Sequence, residues 1–174
     1  MPMTTTEDQR FAPPLAHVED VAPAEPALAG RGIRLGAAII DAVIAGAAGW
    51  AFAMIPWFAS ISQAHLKAAE QGMWTWNPMG LLIGIPIFLL IQGWPLVTRG
   101  QTIGKMLCKL RIVRTDGSKV DAFRLLGLRY GIGSLTGVVS GFAMIYGLID
   151  SLLIFRGSRQ CLHDTIADTK VIQL

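Results

Sequence analysis

The sequence predicts an all-α integral membrane protein, and three observations lead to this class. Of its 174 residues, 52% are apolar and only 16% are charged, whereas roughly a quarter of residues are charged in ordinary soluble domains. Two apolar runs, 35–55 and 79–97, approach the roughly 20 residues with which a helix crosses the bilayer core. Basic residues concentrate in one segment after the second run, as they do in cytoplasmic loops.

Residues 1–29 precede the first apolar run and have a different composition. They are rich in Pro and Ala, carry five acidic residues and show no sustained apolar period. Such a composition is typical of disorder, and the acidic residues interrupt the apolar core that a signal peptide requires. We therefore expect a disordered cytoplasmic tail over 1–29 and one transmembrane domain over 30–174.

Two helices are predicted directly from the apolar runs. The first covers about 35–55, where Asp41 is the only charged residue, and the second covers about 79–97. The second includes Pro86 and Pro95, which membrane helices tolerate better than soluble helices do. Both should be transmembrane helices.

The distribution of basic residues predicts the orientation of these helices. The connection 57–78 contains one lysine, Lys67, whereas the stretch 99–129 contains eight lysines and arginines. The positive-inside rule places the segment 99–121 in the cytoplasm and, two crossings earlier, the N-terminus there too. We expect a multi-pass membrane protein with its N-terminus in the cytoplasm.

The third apolar region, about 122–155, has two interpretations. As a single strongly tilted helix it would export the basic residues that follow it, against the charge rule. As a helical hairpin that breaks near 137–141, it would return the C-terminal motif, 156–174, to the cytoplasm. Each arm of that hairpin would be short for a full crossing. The charge rule favours the hairpin.

The cytoplasmic segment shows a helical and then an extended pattern. Apolar residues recur at helical spacing from Ile103 to Leu110 while Lys105 and Lys109 face elsewhere, which is typical of a short helix on the membrane surface. We expect both lysines to contact lipid headgroups. The stretches 110–113 and 170–174 read as short strands, and their pairing would form a small cytoplasmic β element.

Three motifs resemble the RDD family of small bacterial membrane proteins. They are RLGAAIID from Arg34, GQTIGKMLCKLRIVRTDG from Gly100 and RQCLHDTIADTKVI from Arg159. The residues that match the Arg and two Asp of the family name are Arg34, Asp41 and Asp164. Asp168 stands where such proteins usually carry Gly. The resemblance implies a membrane location, transport of unidentified ligands and, for some members, cation/proton antiport.

Several polar residues lie at a similar predicted depth, one or two helical turns from the cytoplasmic ends of their helices. If the hairpin forms, Asp41, Gln92, Arg129 and Asp150 make up an intramembrane polar layer. This layer would hold an ion or a proton, because charged groups inside the bilayer mark ion pathways. The alternative is an interhelical contact that only fixes packing.

Arg34 and the C-terminal motif offer further candidate contacts. Arg34 either pairs with Asp164 or Asp168, which would clamp the C-terminal motif to the first helix, or anchors the helix at lipid phosphate. The pair His163–Asp164 resembles a phosphohydrolase metal pair, but the remaining histidines lie in the tail and the external loop. We expect no metal site, no cofactor and no catalytic residues.

These observations predict an integral inner-membrane protein that transports an ion or small ligand. The partners would be the lipid bilayer and a monovalent cation or proton, with assembly as a homo-oligomer because few helices enclose little space. The alternative is a non-catalytic module for membrane anchoring or assembly. Nucleic acid is not an expected partner, because the basic residues behind the net charge of +3 cluster beside apolar runs. An enzyme is not expected either.

Overall fold

The computed structural model describes residues 26–174, so most of the predicted tail lies outside the described residues. This part of the chain consists of helices with one two-stranded antiparallel sheet. The helices are α1 (Arg31–Ala53), α2 (Pro56–Glu70), α3 (Met79–Arg99), α4 (Ile103–Leu107), α5 (123–136), α6 (Ser140–Leu153) and α7 (Leu162–Ile166), and the strands are β1 (Leu110–Arg114) and β2 (Thr169–Gln173).

Helices α1 and α3 correspond to the two predicted apolar helices, and both are long and apolar enough to cross a membrane. Large apolar side chains of α1, such as Leu35 and Val43, are exposed, as expected for a surface that faces lipid. Helix α3 contains a π-helical turn at Leu89–Gly93, just after Pro86. Proline lacks the N–H that would continue the α-helical hydrogen bonds, so such irregular turns accompany it.

Helix α2 was not predicted, because we read the connection 57–78 as a loop. Pro56 is its first residue, where the missing N–H costs nothing and the fixed backbone angle favours a helix. After its last residue, Glu70, the chain turns at Gly72, whose φ of 129° is one that glycine adopts readily and other residues rarely do. The connection is thus a helix followed by a short loop.

The third apolar region folds as a hairpin, the path that the charge rule favoured. Its arms are α5, of which Phe123–Gly131 is π-helical, and α6, and they are separated at 137–139. The tip of the hairpin meets the loop before α3: Asn77 N donates to Val138 O at 2.8 Å, and Gly141 N donates to Met73 O at 2.8 Å. The tip therefore lies beside the N-terminal end of α3, away from the sheet.

The predicted strand pairing is confirmed. Strand β1 pairs with β2 in antiparallel register, with Leu110 opposite Gln173 and Arg114 opposite Thr169. Residues 27–29 extend the arrangement on the other edge of β2, where Ala29 N donates to Val171 O at 3.0 Å. The last residues of the predicted disordered tail are therefore ordered. We call the sheet, residues 27–29, α4 and α7 the cap.

The buried core lies beneath the cap, where the ends of α1, α3 and α5 meet the sheet. Gly100 makes this approach possible between α3 and α4. Its φ is +66°, and a Cβ there would lie 2.8 Å from Ile112 O, so the backbone requires glycine. The core is formed by small and apolar side chains, namely Ala29, Ala37, Leu96, Leu110, Ile112, Val120, Leu125 and Val171.

Candidate functional site

The carboxylate of Asp41 is surrounded by hydrogen-bond donors from α3 and α4. Gln92 Nε2 donates to Asp41 Oδ1 at 3.0 Å, and Gly104 N donates to the same oxygen at 2.8 Å. The Thr102 hydroxyl donates to Oδ2. Gln92 also accepts from Ile103 N, at 2.8 Å. Asp41 and Gln92 together satisfy the first N–H groups of α4, which have no partner within that helix.

A glycine and a lysine of α4 complete this Asp41 cluster. A Cβ on Gly104 would overlap Ala37 O and lie 2.9 Å from the Asp41 carboxylate, so α4 touches α1 only because that Cβ is absent. Lys105 Nζ lies 4.0 Å from Asp41 Oδ2, and its side chain is 14% exposed. Lys105 is thus turned toward Asp41, whereas we predicted contact with lipid headgroups. Lys109 is exposed, and its headgroup contact stays a prediction.

A cavity of about 570 Å³ lies between α1 and α3, and the Asp41 cluster is part of its wall. Most of its lining is apolar, with small residues on both helices. The polar exceptions are Asp41, Gln92, Thr102, Lys105, Tyr130 and His163. An apolar cavity that carries a few polar groups in its wall is the usual form of a small-molecule site.

The second cluster is centred on Asp164, whose side chain is fully buried. Arg34 Nη2 pairs with Asp164 Oδ2 at 2.6 Å, and Arg129 pairs with Oδ1 while also donating to Thr169 Oγ1. Cys161 N donates to Oδ2 at 3.1 Å. Burial opposes ionisation, but the charges of Arg129 and Arg34 outweigh it and hold the pKa of Asp164 well below its usual range. This cluster joins α1, α5 and α7.

The third cluster contains Asp150, Cys161 and His163. Asp150 Oδ1 accepts from His163 N at 2.9 Å, and His163 Nδ1 lies 2.8 Å from both carboxylate oxygens. One ligand atom from each of the three residues lies within 4.8 Å of the others. Burial raises the pKa of Cys161 to about 11, and burial, together with the charge of Arg129, lowers the pKa of His163. His163 is therefore a neutral imidazole at pH 7.

The structure divides the predicted polar layer among these clusters. Gln92 contacts Asp41 as its partner, but Arg129 pairs with Asp164 and Asp150 with His163. The four residues thus do not share one set of contacts, and their role as an intramembrane ion site stays a prediction. The predicted layer was built on depth along each helix alone, and the short helix α7 inserts its own carboxylate and imidazole between the neighbouring helices.

Sequence reasoning also missed contributors to these clusters. Thr102 begins α4, with its side chain accepting from Lys105 N at 3.4 Å. The sequence signal for Thr102 is its position three residues after Arg99, the last residue of α3, and directly before the next helix, because Thr is a common helix N-cap. Cys161 was not connected with Asp150 or Arg34 from the sequence, because these neighbours come from distant parts of the chain.

Asp168 illustrates how a departure from the usual motif is accommodated. Its φ is 53°, in the left-handed region that glycine favours. The carboxylate meets Arg114 at 3.2 Å and Arg124 at 3.4 Å, and it accepts from the Thr115 hydroxyl. These contacts, led by the hydrogen bonds from Thr115 and Arg114, lower the pKa of Asp168. They offset the unfavourable backbone conformation.

Comparison with known proteins agrees with the three motifs. The RDD family matches residues 28–168, and the chain belongs to this family. It is therefore a membrane-associated protein. The chain is 31% identical over 144 residues to the "Uncharacterized protein YckC" of Bacillus subtilis (strain 168). The aligned region covers 82% of this chain and 83% of the relative. No solved structure matches the chain.

Proposed function

We propose that this protein is a multi-pass protein of the bacterial inner membrane, with its cap in the cytoplasm, that transports an ion or small ligand by exchange for protons. The observation that carries this proposal is the cavity between α1 and α3, in whose apolar wall Asp41 stands. The proposed ligand is a monovalent cation, because intramembrane carboxylates mark ion and proton pathways. Homo-oligomeric assembly would enlarge the enclosed space.

The hydrogen bonds of the cap support the orientation. Residues 27–29, β1 and β2 bond to one another, so all three lie on the same side of a membrane. The chain must then cross an even number of times between 29 and 110, and again between 114 and 169. Helices α1 and α3 are long enough to supply two crossings, and the hairpin of α5 and α6 returns the chain to the side from which it entered. The basic residues around the cap, including Arg99 and Arg111, favour the cytoplasm.

The environment of Asp41 supports competition between cations. Its nearest protein cation is Lys105 Nζ, at 4.0 Å, which is longer than a close ion pair. A monovalent cation from the cavity would approach the same Oδ2 and displace the ammonium group. Protonation of Asp41 would release that cation again, since a neutral carboxyl binds it poorly. This arrangement supports the proposed exchange of one cation for one proton at a single carboxylate.

Reconstitution tests the transport proposal. The protein is placed in liposomes that contain a pH-sensitive dye, and a sodium, potassium or lithium gradient is applied. We expect proton movement opposite to the cation, and we expect Asp41→Asn to abolish it while protein level and elution volume are unchanged. Glu70→Gln is the matched control, because it removes an exposed carboxylate of α2 that lies outside the cavity. The absence of flux with every cation would overturn the proposal.

A second candidate function is a non-catalytic module that anchors or assembles other membrane proteins. The observation that favours it is the saturation of Asp41 and Asp164, since each accepts hydrogen bonds or ion pairs on both oxygens from the protein itself. If this function is correct, Asp41→Asn would change the stability of the protein, and neither the original protein nor the variant would move protons in liposomes. Stable co-purification of a partner membrane protein, lost when exposed side chains of the cap are replaced, would support it.

A further inference from the structure

We propose that Asp150, Cys161 and His163 form a binding site for a divalent transition metal ion, with Zn²⁺ as the representative ion. The sequence offered only the pair His163–Asp164, without further ligands nearby. The fold supplies them: Asp150 comes from the last turn of α6, and Cys161 immediately precedes α7. The three ligand atoms lie within 4.8 Å of one another. The site does not depend on the transport function.

The ligand types select the class of metal. Imidazole nitrogen, thiolate sulfur and carboxylate oxygen are the three donors that Zn²⁺ takes in proteins, whereas Mg²⁺ and Ca²⁺ prefer oxygen alone. A softer divalent ion such as Co²⁺ is accepted by the same set. When the metal binds, the Cys161 thiol loses its proton to solvent, and the sulfur coordinates as thiolate.

Neighbouring groups are arranged as the outer contacts of a metal site usually are. Arg34 Nη2 lies 3.6 Å from Cys161 Sγ and would stabilise a thiolate there. His163 Nε2 lies 3.7 Å from Asp164 Oδ1, so a small ring rotation would let this nitrogen donate to a carboxylate while Nδ1 faces the metal. Carboxylates behind ligating histidines fix the ring in this way.

A second cavity borders one of the three proposed ligands, His163. It measures about 320 Å³ and is lined in part by His163, Gly133 and Tyr146. The Tyr146 hydroxyl is buried and has no hydrogen-bond partner among the residues that the structure describes. Three protein ligands leave a tetrahedral ion one open position. A water or an anion in this cavity would fill that position and give Tyr146 a partner.

The experiment uses the full chain carrying Cys108→Ser, purified in detergent after treatment with a chelator. Cys161 is then the remaining cysteine, so any thiolate-to-cobalt charge-transfer band on addition of Co²⁺ reports this residue. We expect the band to saturate at one Co²⁺ per chain and to disappear when Zn²⁺ replaces it. Asp150→Asn and His163→Gln each remove a direct ligand, so they should weaken Zn²⁺ binding by more than the roughly 10- to 100-fold that loss of an outer contact costs, measured by competition with a chromophoric chelator.

The result does not depend on whether a ligand variant folds. Saturable Co²⁺ binding without a thiolate band in Cys108→Ser would overturn the proposal, as would the absence of binding. Asp121→Asn is the matched control for Asp150→Asn, because Asp121 is an exposed carboxylate of the cap-side loop. Equal loss of affinity in both variants would mean that general surface charge binds the metal, and this too would overturn the proposal.

Discussion

Arg34 and Asp164 stand 130 residues apart in the chain and form a buried ion pair of 2.6 Å. The pair connects the first turn of α1 to the short helix α7. Arg129 approaches the other oxygen of the same carboxylate from α5. One acidic side chain thus holds three separate helices together.

The Asp164 carboxylate should be essential for stability. Asp164→Asn leaves Arg34 and Arg129 buried with too little negative charge, and uncompensated buried charge costs about 3–5 kcal/mol. We expect the free energy of unfolding in detergent, measured by denaturant titration, to fall by about this amount. The control Asp168→Asn breaks partly exposed pairs and should cost no more than about 1 kcal/mol. Equal effects of the two variants would contradict the role of Asp164.

Gly104 should not tolerate a side chain. In Gly104→Ala the new methyl group would overlap Ala37 O and press on Asp41, which would force α4 away from α1. Overpacking of this kind typically costs about 1–3 kcal/mol. Gly46→Ala, in α1 with open space around the new methyl, should leave the unfolding midpoint unchanged or slightly higher. A Gly104→Ala protein as stable as Gly46→Ala would rule out close contact of α4 with α1.

Gln92 should control the order of α4. Its amide bridges Asp41 and the Ile103 N–H, so Gln92→Leu leaves both without this partner. A buried polar group that loses its partner costs about 1–3 kcal/mol. We expect faster hydrogen exchange of the amides of α4, read by mass spectrometry. Gln71→Leu, at an exposed position, serves as the control, and unchanged exchange in Gln92→Leu would mean that the bridge does not hold α4.

Thiol labelling should reveal the topology. Cys161 is too buried to report, at 6% exposure, so Cys108 and two introduced cysteines are used. An impermeant reagent outside intact cells should label Gln71→Cys and Ser140→Cys, each in a Cys108→Ser background. Both positions are exposed and lie at the end away from the cap. Cys108 should react only after the membrane is opened, and labelling of Cys108 in intact cells would reverse the proposed orientation.

The helices that could be predicted from the sequence are those with a distinctly apolar composition. Long runs of apolar residues predicted α1 and α3, because burial in lipid demands such stretches. The basic residues that follow 122–155 favoured the hairpin, because it returns them to the cytoplasm. Strands β1 and β2 were predicted from the short stretches 110–113 and 170–174, and their pairing required a C-terminus in the cytoplasm. Helix α2 lacked such a signature, since 57–78 mixes polar and apolar residues in a short stretch.

The composition of the clusters could be predicted only in part. Gln92 was placed in one layer with Asp41, and Arg34–Asp164 was one of the expected pairs. The pairing of Arg129 with Asp164 and of Asp150 with His163 was not expected. The carboxylate with which an arginine pairs depends on how α7 packs between α1 and α5. The local sequence carries no information on this packing. The inward turn of Lys105 has the same origin, because only the approach of α4 brings it near Asp41.

The position of β2 has a consequence for biogenesis. This strand lies between residues 27–29 and β1, so the backbone groups of an early segment find their partners only in a late one. During synthesis, α1 can insert long before β2 emerges from the ribosome. The cap at the start of α1 should therefore form only after the helices have been synthesised. A nascent chain arrested before Thr169 should have its helices in place but an incomplete, protease-sensitive cap.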